Sequence, residues 1–395
     1  MADVCEQGLA LPTKLRQGPS VYDMEKTKVS LVKCKSYETA EVQEAVRRSI
    51  DLLGGMEQFI KPDEKVLIKP NLLMDAAPEE GIDTHPEVVR AVIRSLKSVT
   101  KNIYCGDSPS VWGEHRDIDH VYEVAGMKKV CLDEGVELVY FTSPKMKGSY
   151  PLTDWLDKCD RLVSIPKFKT HGFTVLTAGI KNLFGLVIGM NKIKVHKDNP
   201  RPDDLSRALI DIYEIRRPDL TVLDGITAME GQGPGHSGSL RPMNLIAASP
   251  DALALDIILS VLMGLSPDDI PTTKEAIRRG LGQGDLSSIE VFGENLKTFV
   301  TGDFKLPKTT FLNKVPKWII DISKQFLKME PTVLRKKCKI CSLCAKGCPG
   351  EAIVIKNKHI SIDPKKCILC LCCQEICPHG AVEIRKSFLL RMGVE

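Results

Sequence analysis

Eight cysteines near the C-terminal end of this chain are spaced as two copies of one pattern, Cys338-x2-Cys341-x2-Cys344-x3-Cys348-Pro349 and Cys367-x2-Cys370-x2-Cys373-x3-Cys377-Pro378. A cubane of iron and sulfide needs four thiolates converging on one small volume, and the x2 spacing lets a tight loop present three of them. The fourth cysteine of each run crosses to the other core. The expected sets are therefore Cys338, Cys341, Cys344 and Cys377 for one [4Fe-4S] cluster, and Cys348, Cys367, Cys370 and Cys373 for a second. Paired CxxC units also build zinc ribbons. A ribbon takes four cysteines in two pairs, however, whereas each run here has four and ends in Cys-Pro. Cys372 is a ninth cysteine in the segment and falls out of register.

Between the runs, residues 351–363 read as two short β-branched strands about a Lys356-Asn357-Lys358 turn, and residues 381–384 offer a further strand. Residues 334–386 resemble the bacterial two-cluster ferredoxin domain, with all eight ligands and both prolines matching. The resemblance implies a small α+β unit in which the clusters serve as the core that so short a segment could not otherwise build.

The rest of the chain is long enough for a full α/β domain, since it has 395 residues in all, 43% hydrophobic and 27% charged. A net charge of +4, from 55 Lys and Arg against 51 Asp and Glu, gives no reason to expect a nucleic-acid partner. Of 14 cysteines, the six outside the two runs' ligand positions (Cys5, Cys34, Cys105, Cys131, Cys159 and Cys372) show no pattern, which fits a reducing cytoplasm better than a disulfide framework. No secretory leader is visible at the N-terminus, and the most apolar windows, such as 253–263, are too short to span a membrane. The expected organisation is an extension over 1–27, an α/β domain over 28–300, a helical linker over 301–333 and the ferredoxin unit over 334–395. In the linker, Trp318, Ile319, Ile322 and Phe326 fall near one helical face, which suits a helix packed on the main domain, with partner or membrane-surface docking as the alternative.

Strands and helices alternate through the main domain. Strands are expected over 28–33, 65–69, 102–105, 136–141, 161–165, 220–223 and 244–248. Helices are expected over 39–53, stopped by Gly54-Gly55, over 86–99 with Thr84 as cap, and over 203–215 and 250–262. This alternation predicts an α/β fold with a largely parallel sheet, whose ligand sites lie off the carboxyl ends of the strands.

Among the loops expected there, Pro166-Lys-Phe-Lys-Thr-His171 and the following Gly179-Ile-Lys-Asn-Leu-Phe-Gly185 stand out. Lys167, Lys169, His171, Lys181 and Asn182 crowd among apolar neighbours, and lysines so placed must reach water or pair with an anion. Lys181 and His171 are candidate catalytic residues, with Lys167, Lys169 and Asn182 binding an anion. A second candidate is the glycine-rich stretch 225–238, where Glu230 is a candidate catalytic acid and the backbone at Gly231 and Gly233 could face a phosphate or carboxylate. Asp107, in Gly106-Asp-Ser-Pro109, is a third candidate and equally suits a turn.

Several motifs, in order, resemble the domain of unknown function 362 family: Ile68-Lys-Pro-Asn-Leu, Thr84-His-Pro, Gly106-Asp-Ser-Pro, Pro166-Lys-x-Lys-Thr-His171, Gly179 to Gly185, Met229-Glu-Gly-x-Gly-Pro234 and Ala254-Leu-Asp256. That family often carries a C-terminal ferredoxin domain, which implies an iron–sulfur protein of anaerobic or ferredoxin-rich metabolism. More distantly, His171-x9-Lys181-x14-His196 is similar to the order of residues in the nickel-pincer lactate racemase family, where the lysine anchors the cofactor and a histidine binds nickel. In place of that family's Asp-Asp-x-Thr-Arg, this chain has Lys69-Pro-Asn-Leu-Leu73.

These readings converge on a ferredoxin-coupled oxidoreductase in which two [4Fe-4S] clusters deliver electrons to an acidic substrate, or to a further cofactor, in the α/β domain. The alternatives are an electron-transfer or maturation partner of a client enzyme and a metal-pincer enzyme. Ferredoxin or another redox protein is the expected partner, and a homo-oligomer is open.

Overall fold

Apolar strands alternating with amphipathic helices must bury both faces of the sheet they form. The computed structural model describes residues 26–109, 117–282, 284–310 and 329–386. Its main body is a 10-stranded sheet in which Val66–Pro70 lies between Ile103–Cys105 and Arg161–Ile165, all parallel. Leu220–Gly231 continues in parallel beside Arg161–Ile165. Antiparallel pairing joins Leu220–Gly231 to Gly238–Ser249, which in turn pairs with Thr27–Lys33, and joins Lys167–His171 to Val175–Thr177. The expected α/β class with a largely parallel sheet is what the chain adopts.

Side chains alternate across each strand, so neighbours in sequence belong to different cores. Leu67, Leu162 and Leu223 join the core beneath Pro202–Ile215 and Ala252–Leu262. Val66, Val163 and Val222 join the one beneath Thr39–Asp51 and Pro86–Leu96. Thr39–Asp51 is followed at the expected place by Gly54 and Gly55, with φ of 107° and 90°, a conformation open to glycine.

Several expectations change. The cap of Pro86–Leu96 is His85, whose ring Nδ1 accepts the Glu87 N–H at 3.2 Å. Thr84 turns inward instead, donating to Ile165 O at 2.6 Å. The strand expected over 136–141 shrinks to Glu137–Leu138 at the sheet's edge. The segment 166–171, expected as a loop, contains the strand Lys167–His171, paired with Leu220–Gly231 and Val175–Thr177. The glycine-rich stretch 225–238 is mostly strand too, with only 232–237 left as the connection.

In the C-terminal module Ile353–Lys356 and His359–Ile362 form a hairpin through Asn357 and Lys358, at φ of 48° and 58°, the primed two-residue turn that matches strand twist. Val382–Lys386 pairs with Met329–Val333, a strand from the segment expected as linker. The amphipathic stretch 315–327 and residues 1–25 lie outside the described residues. Among the described residues no helix is long and apolar enough to cross a membrane.

Candidate functional site

The carboxyl ends of Val66–Pro70, Ile103–Cys105 and Arg161–Ile165 meet at one edge of the sheet, and Lys167–His171 extends from the last of them. Period-two geometry puts Lys167, Lys169 and His171 on one face of that strand. Their fates differ. Lys167 is fully buried against Asp224 Oδ2 at 2.8 Å and the Tyr37 hydroxyl at 2.7 Å, so its charge is spent inside the fold. Lys169 donates to Asn71 Oδ1 and Ile82 O, both at 2.6 Å, and burial pushes its amine down to about 8. His171 lines a cavity open to solvent, together with Lys169, Lys181, Lys192, His196 and Thr177.

Beneath that cavity Lys69 and Asp107 form a buried ion pair of 2.8 Å. Lys69 also donates to Pro70 O and to Asn182 Oδ1, while the Asp107 carboxylate accepts the amides of Leu72 and Ser108. Asn182 spends its amide on Lys69 O and Ser164 Oγ, so its side chain ties the floor together.

Lys181 sits in the short helix Gly179–Asn182, whose first amides, of Gly179 and Ile180, bind the buried Asp256 carboxylate at 2.7 and 3.1 Å. Burial pushes the Lys181 amine below its ordinary range, opposed by Glu375. The amine stands 5.3 Å from the Phe184 ring centroid and, among the described residues, has no hydrogen-bond partner. Lys192 and His196 are four apart on the helix Asn191–Asp198 and so share a face. Lys192 donates to Ser108 O, and burial lowers its amine to about 7. His196 packs edge-on against Phe184, its Nδ1 is buried without a partner, and burial pushes it down to about 4.

One wall of the cavity comes from the C-terminal module. The helix Cys372–Glu375 places the Glu375 carboxylate 2.7 Å from His171 Nε2. The His171 ring accepts the backbone N–H groups of Phe173 and Thr174 on Nδ1, at 3.0 and 3.1 Å, which leaves the proton of the neutral ring on Nε2. Glu375 Oε1 lies off the N–H axis, so the contact is close without being an aligned hydrogen bond. Burial pushes His171 down to about 4, with Lys181 adding to the effect. Burial would raise Glu375, but His171, Lys181 and His196 outweigh it and hold the carboxylate low, at about 2.

Of the second sequence candidate, Pro234 lines this cavity, but Glu230, Gly231 and Gly233 do not. Glu230 pairs with Arg241 at 3.0 Å and Lys305 at 3.2 Å. The Gly231 amide donates to Lys305 O and that of Gly233 to Thr170 Oγ1. Glu375, Lys192 and Lys69 were not singled out as site residues from the sequence. The four-residue spacing of Lys192 and His196 was a readable signal, while nothing local marks Glu375.

The cysteines of the two runs lie close together. Cys338, Cys341, Cys344 and Cys377 line one cavity, and Cys370, Cys344, Cys367 and Cys348 lie within electrostatic reach of Cys373. Each run places the residues two and four after its first cysteine at positive φ: Ile340 and Ser342 at 57° and 63°, Leu369 and Leu371 at 58° and 60°. Side chains avoid this conformation, but it turns backbone N–H groups into a concavity that suits an anionic cluster. The fourth cysteine of each run also accepts an amide on sulfur, Cys348 from Ala352 at 3.3 Å and Cys377 from Ala381 at 3.2 Å. These features fit a [4Fe-4S] core. Cys372 is fully buried behind Cys370, toward Lys181.

Residues 66–260 match the family described as domain of unknown function (DUF362), and residues 360–383 match the 4Fe-4S binding domain. Among curated proteins, the thylakoid-associated protein sll1697 of Synechocystis sp. is 35% identical over 260 residues, covering 64% of this chain and 79% of that protein. Among solved structures, the lactate racemase apoprotein from Thermoanaerobacterium thermosaccharolyticum aligns with a TM-score of 0.40 and 13% identity, over 61% of this chain and 58% of that one. A Thermotoga maritima protein from a structural genomics programme aligns at 0.32 and 13%, over 50% and 52%. Likenesses at these scores say nothing about activity.

Proposed function

Because the chain belongs to the domain of unknown function 362 family and carries a 4Fe-4S binding domain, we propose that it is an oxidoreductase that couples two [4Fe-4S] clusters to a small anionic substrate in the cleft. The observation that carries this reading is Glu375, which lies between Cys373 and Cys377 and reaches His171 in the cleft at 2.7 Å. The cysteine site and the cationic pocket therefore share a wall. Bound clusters would supply low-potential electrons.

The chain's own residues do the rest. Lys181, whose amine is otherwise unpaired, neutralises the substrate's negative charge. His171, neutral and with its one proton on Nε2, donates a hydrogen bond from that atom to the negative charge that develops on the substrate. Lys169 and Lys192 are bound to the fold's own oxygens and frame the cleft. Glu230, Gly231 and Gly233 take no part.

Electrons enter from a redox protein at the far side of the module. Residues 334–386 hold eleven Lys and Arg against four Asp and Glu. Arg335, Lys336, Lys337 and Lys339 are exposed beside the exposed Cys341. Such a rim attracts an acidic carrier and speeds its encounter, an effect that salt screens. A reducing compartment, the cytoplasm, suits a chain whose described cysteines are all free thiols.

The test uses protein prepared without oxygen, with reduced methyl viologen as donor and a panel of small organic acids as acceptors. Acid-dependent reoxidation is the expected result. Reducible clusters that no acid reoxidises, together with a stably co-purifying client, would replace this reading with that of an electron-transfer or maturation partner.

A second reading, a further metal-pincer cofactor tethered at Lys181, is favoured by one observation: the unpaired Lys181 amine shares its cavity with His171 and His196. Lys181 and His196 are the residues that would hold such a group. Intact-mass analysis of protein from its native host decides it, since an unmodified Lys181 removes this reading.

A further inference from the structure

We propose that Glu375 is an internal ligand of the cleft: its side-chain carboxylate fills the subsite for the carboxylate of a small organic acid, and the acid binds by displacing it. This rests on the reading of the cleft as an anion site and names the anion.

The argument begins with charge pairing. Two other buried lysines of this region have an acid built into the main domain, Lys69 with Asp107 and Lys167 with Asp224, both at 2.8 Å. Lys181 has none there. The acid that lines the same cavity comes from the ferredoxin module, on the helix Cys372–Glu375. A carboxylate supplied from outside the main domain, to a cavity that opens outward, stands where an external acid would stand.

The quality of the contact points the same way. In the Lys167–Asp224 pair both carboxylate oxygens are hydrogen-bonded, one by the Tyr37 hydroxyl and the other by Lys167 and the His85 amide. Glu375 Oε1 is buried and has no aligned donor, although His171 Nε2 is 2.7 Å away. Thr177 Oγ1 and His196 Nδ1, in the same cavity, are also buried without partners. Unmade hydrogen bonds on buried polar groups are costly. A free acid, not tethered to a helix, can turn to satisfy groups that Glu375 leaves unpaired.

Displacement needs only the side chain to move. The backbone around Glu375 is seated closely on the main domain. A Cβ on Gly235 would lie 2.7 Å from Glu375 O, and one on Gly172 would lie 3.0 Å from Leu371 Cδ1. A tethered carboxylate competes at a high effective concentration, and the apparent affinity for an outside acid falls with the fraction of time the subsite is filled.

Isothermal titration of the full chain, prepared without oxygen, tests this with acetate and inorganic phosphate as probes. Glu375→Ala should bind acetate on the order of 10-fold or more tighter than the unaltered chain, the scale of one charge-assisted contact. Glu375→Gln, which keeps the shape and removes the charge, should show a gain in the same direction. Adding Lys181→Ala to Glu375→Ala should abolish the gain. Iron and sulfide content read the integrity of the module, and the glutamine variant decides if alanine disturbs it. Unchanged or weaker acetate binding in Glu375→Gln overturns the proposal, as does a phosphate gain equal to or larger than that of acetate. Titration involves no electron transfer. A chain that reduces no acid yet gains acetate affinity sinks the oxidoreductase reading alone, and one that turns over acids without any gain sinks only this one.

Discussion

Lys69 and Asp107 meet at 2.8 Å under the cleft, both wholly enclosed, in a space that Gly185 leaves for them. A buried ion pair stands only when its remaining polar atoms are satisfied, and here backbone and Asn182 supply the partners. Asp107→Ala would strand the Lys69 charge and should cost about 3–5 kcal/mol. Gly185→Ala should do comparable damage, because its Cβ would lie 2.1 Å from Asp107 Oδ1 and 2.4 Å from Lys69 Nζ. Urea unfolding followed by circular dichroism reads both. Wild-type stability in either variant would show that the pair can separate without cost.

Lys181→Ala and Lys167→Ala should separate cleanly. The Lys181 amine has no partner in the fold, so its loss should weaken anion binding roughly 10- to 150-fold and leave folding and iron content intact. Lys167 holds Asp224, so its loss should destabilise the chain by about 3–5 kcal/mol through an abandoned carboxylate. His171→Ala should lower turnover more than binding, because its Nε2–H bond strengthens as charge develops on the substrate. Equal, small effects from Lys181 and His171 would move the site elsewhere.

For the clusters, about eight iron and eight sulfide per chain are expected in protein prepared without oxygen, with absorbance near ~400 nm that bleaches on reduction. Cys348→Ser should damage the cluster held by Cys367, Cys370 and Cys373 and spare the other. Selective loss of the cluster at Cys338, Cys341 and Cys344 would refute the crossed assignment.

The cleft histidines set a pH dependence. Burial pushes His171 and His196 each down to about 4 in the folded chain, below the ordinary 6.5. The unfolded chain therefore binds more protons between those values. Their contribution to stability is fully present above pH 6.5 and is lost as pH falls toward 4. Nitrogen-edited NMR at pH 6 should find both rings neutral, with the His171 proton on Nε2 because Nδ1 accepts two backbone amides. An imidazolium signal at pH 6 for either ring would contradict this.

Much of the architecture is legible in local pattern. Apolar spacing marks Thr39–Asp51 and Pro202–Ile215, and the Gly54-Gly55 stop follows from the conformation only glycine takes easily. The Cys-x2-Cys runs are equally local, since a loop of a few residues presents three thiols whatever surrounds it. Lys167-Phe-Lys-Thr-His171 reads as a loop because charged residues suggest solvent, yet it forms a buried strand. Its strict alternation was the signal of a strand with one polar face.

By itself, then, the sequence determined the two cysteine runs, the α/β alternation and the cation-rich segment from Pro166 to Gly185, because each is written in residues close together along the chain. Only the tertiary structure decided which cations are free. Lys167 is neutralised by Asp224 across the sheet and Lys69 by Asp107 from another strand end, while Lys181 has no ion pair among the described residues and lines a cavity with Glu375 of the far module. Charge pairing in a buried site depends on distance through space, and chain separation carries no record of it.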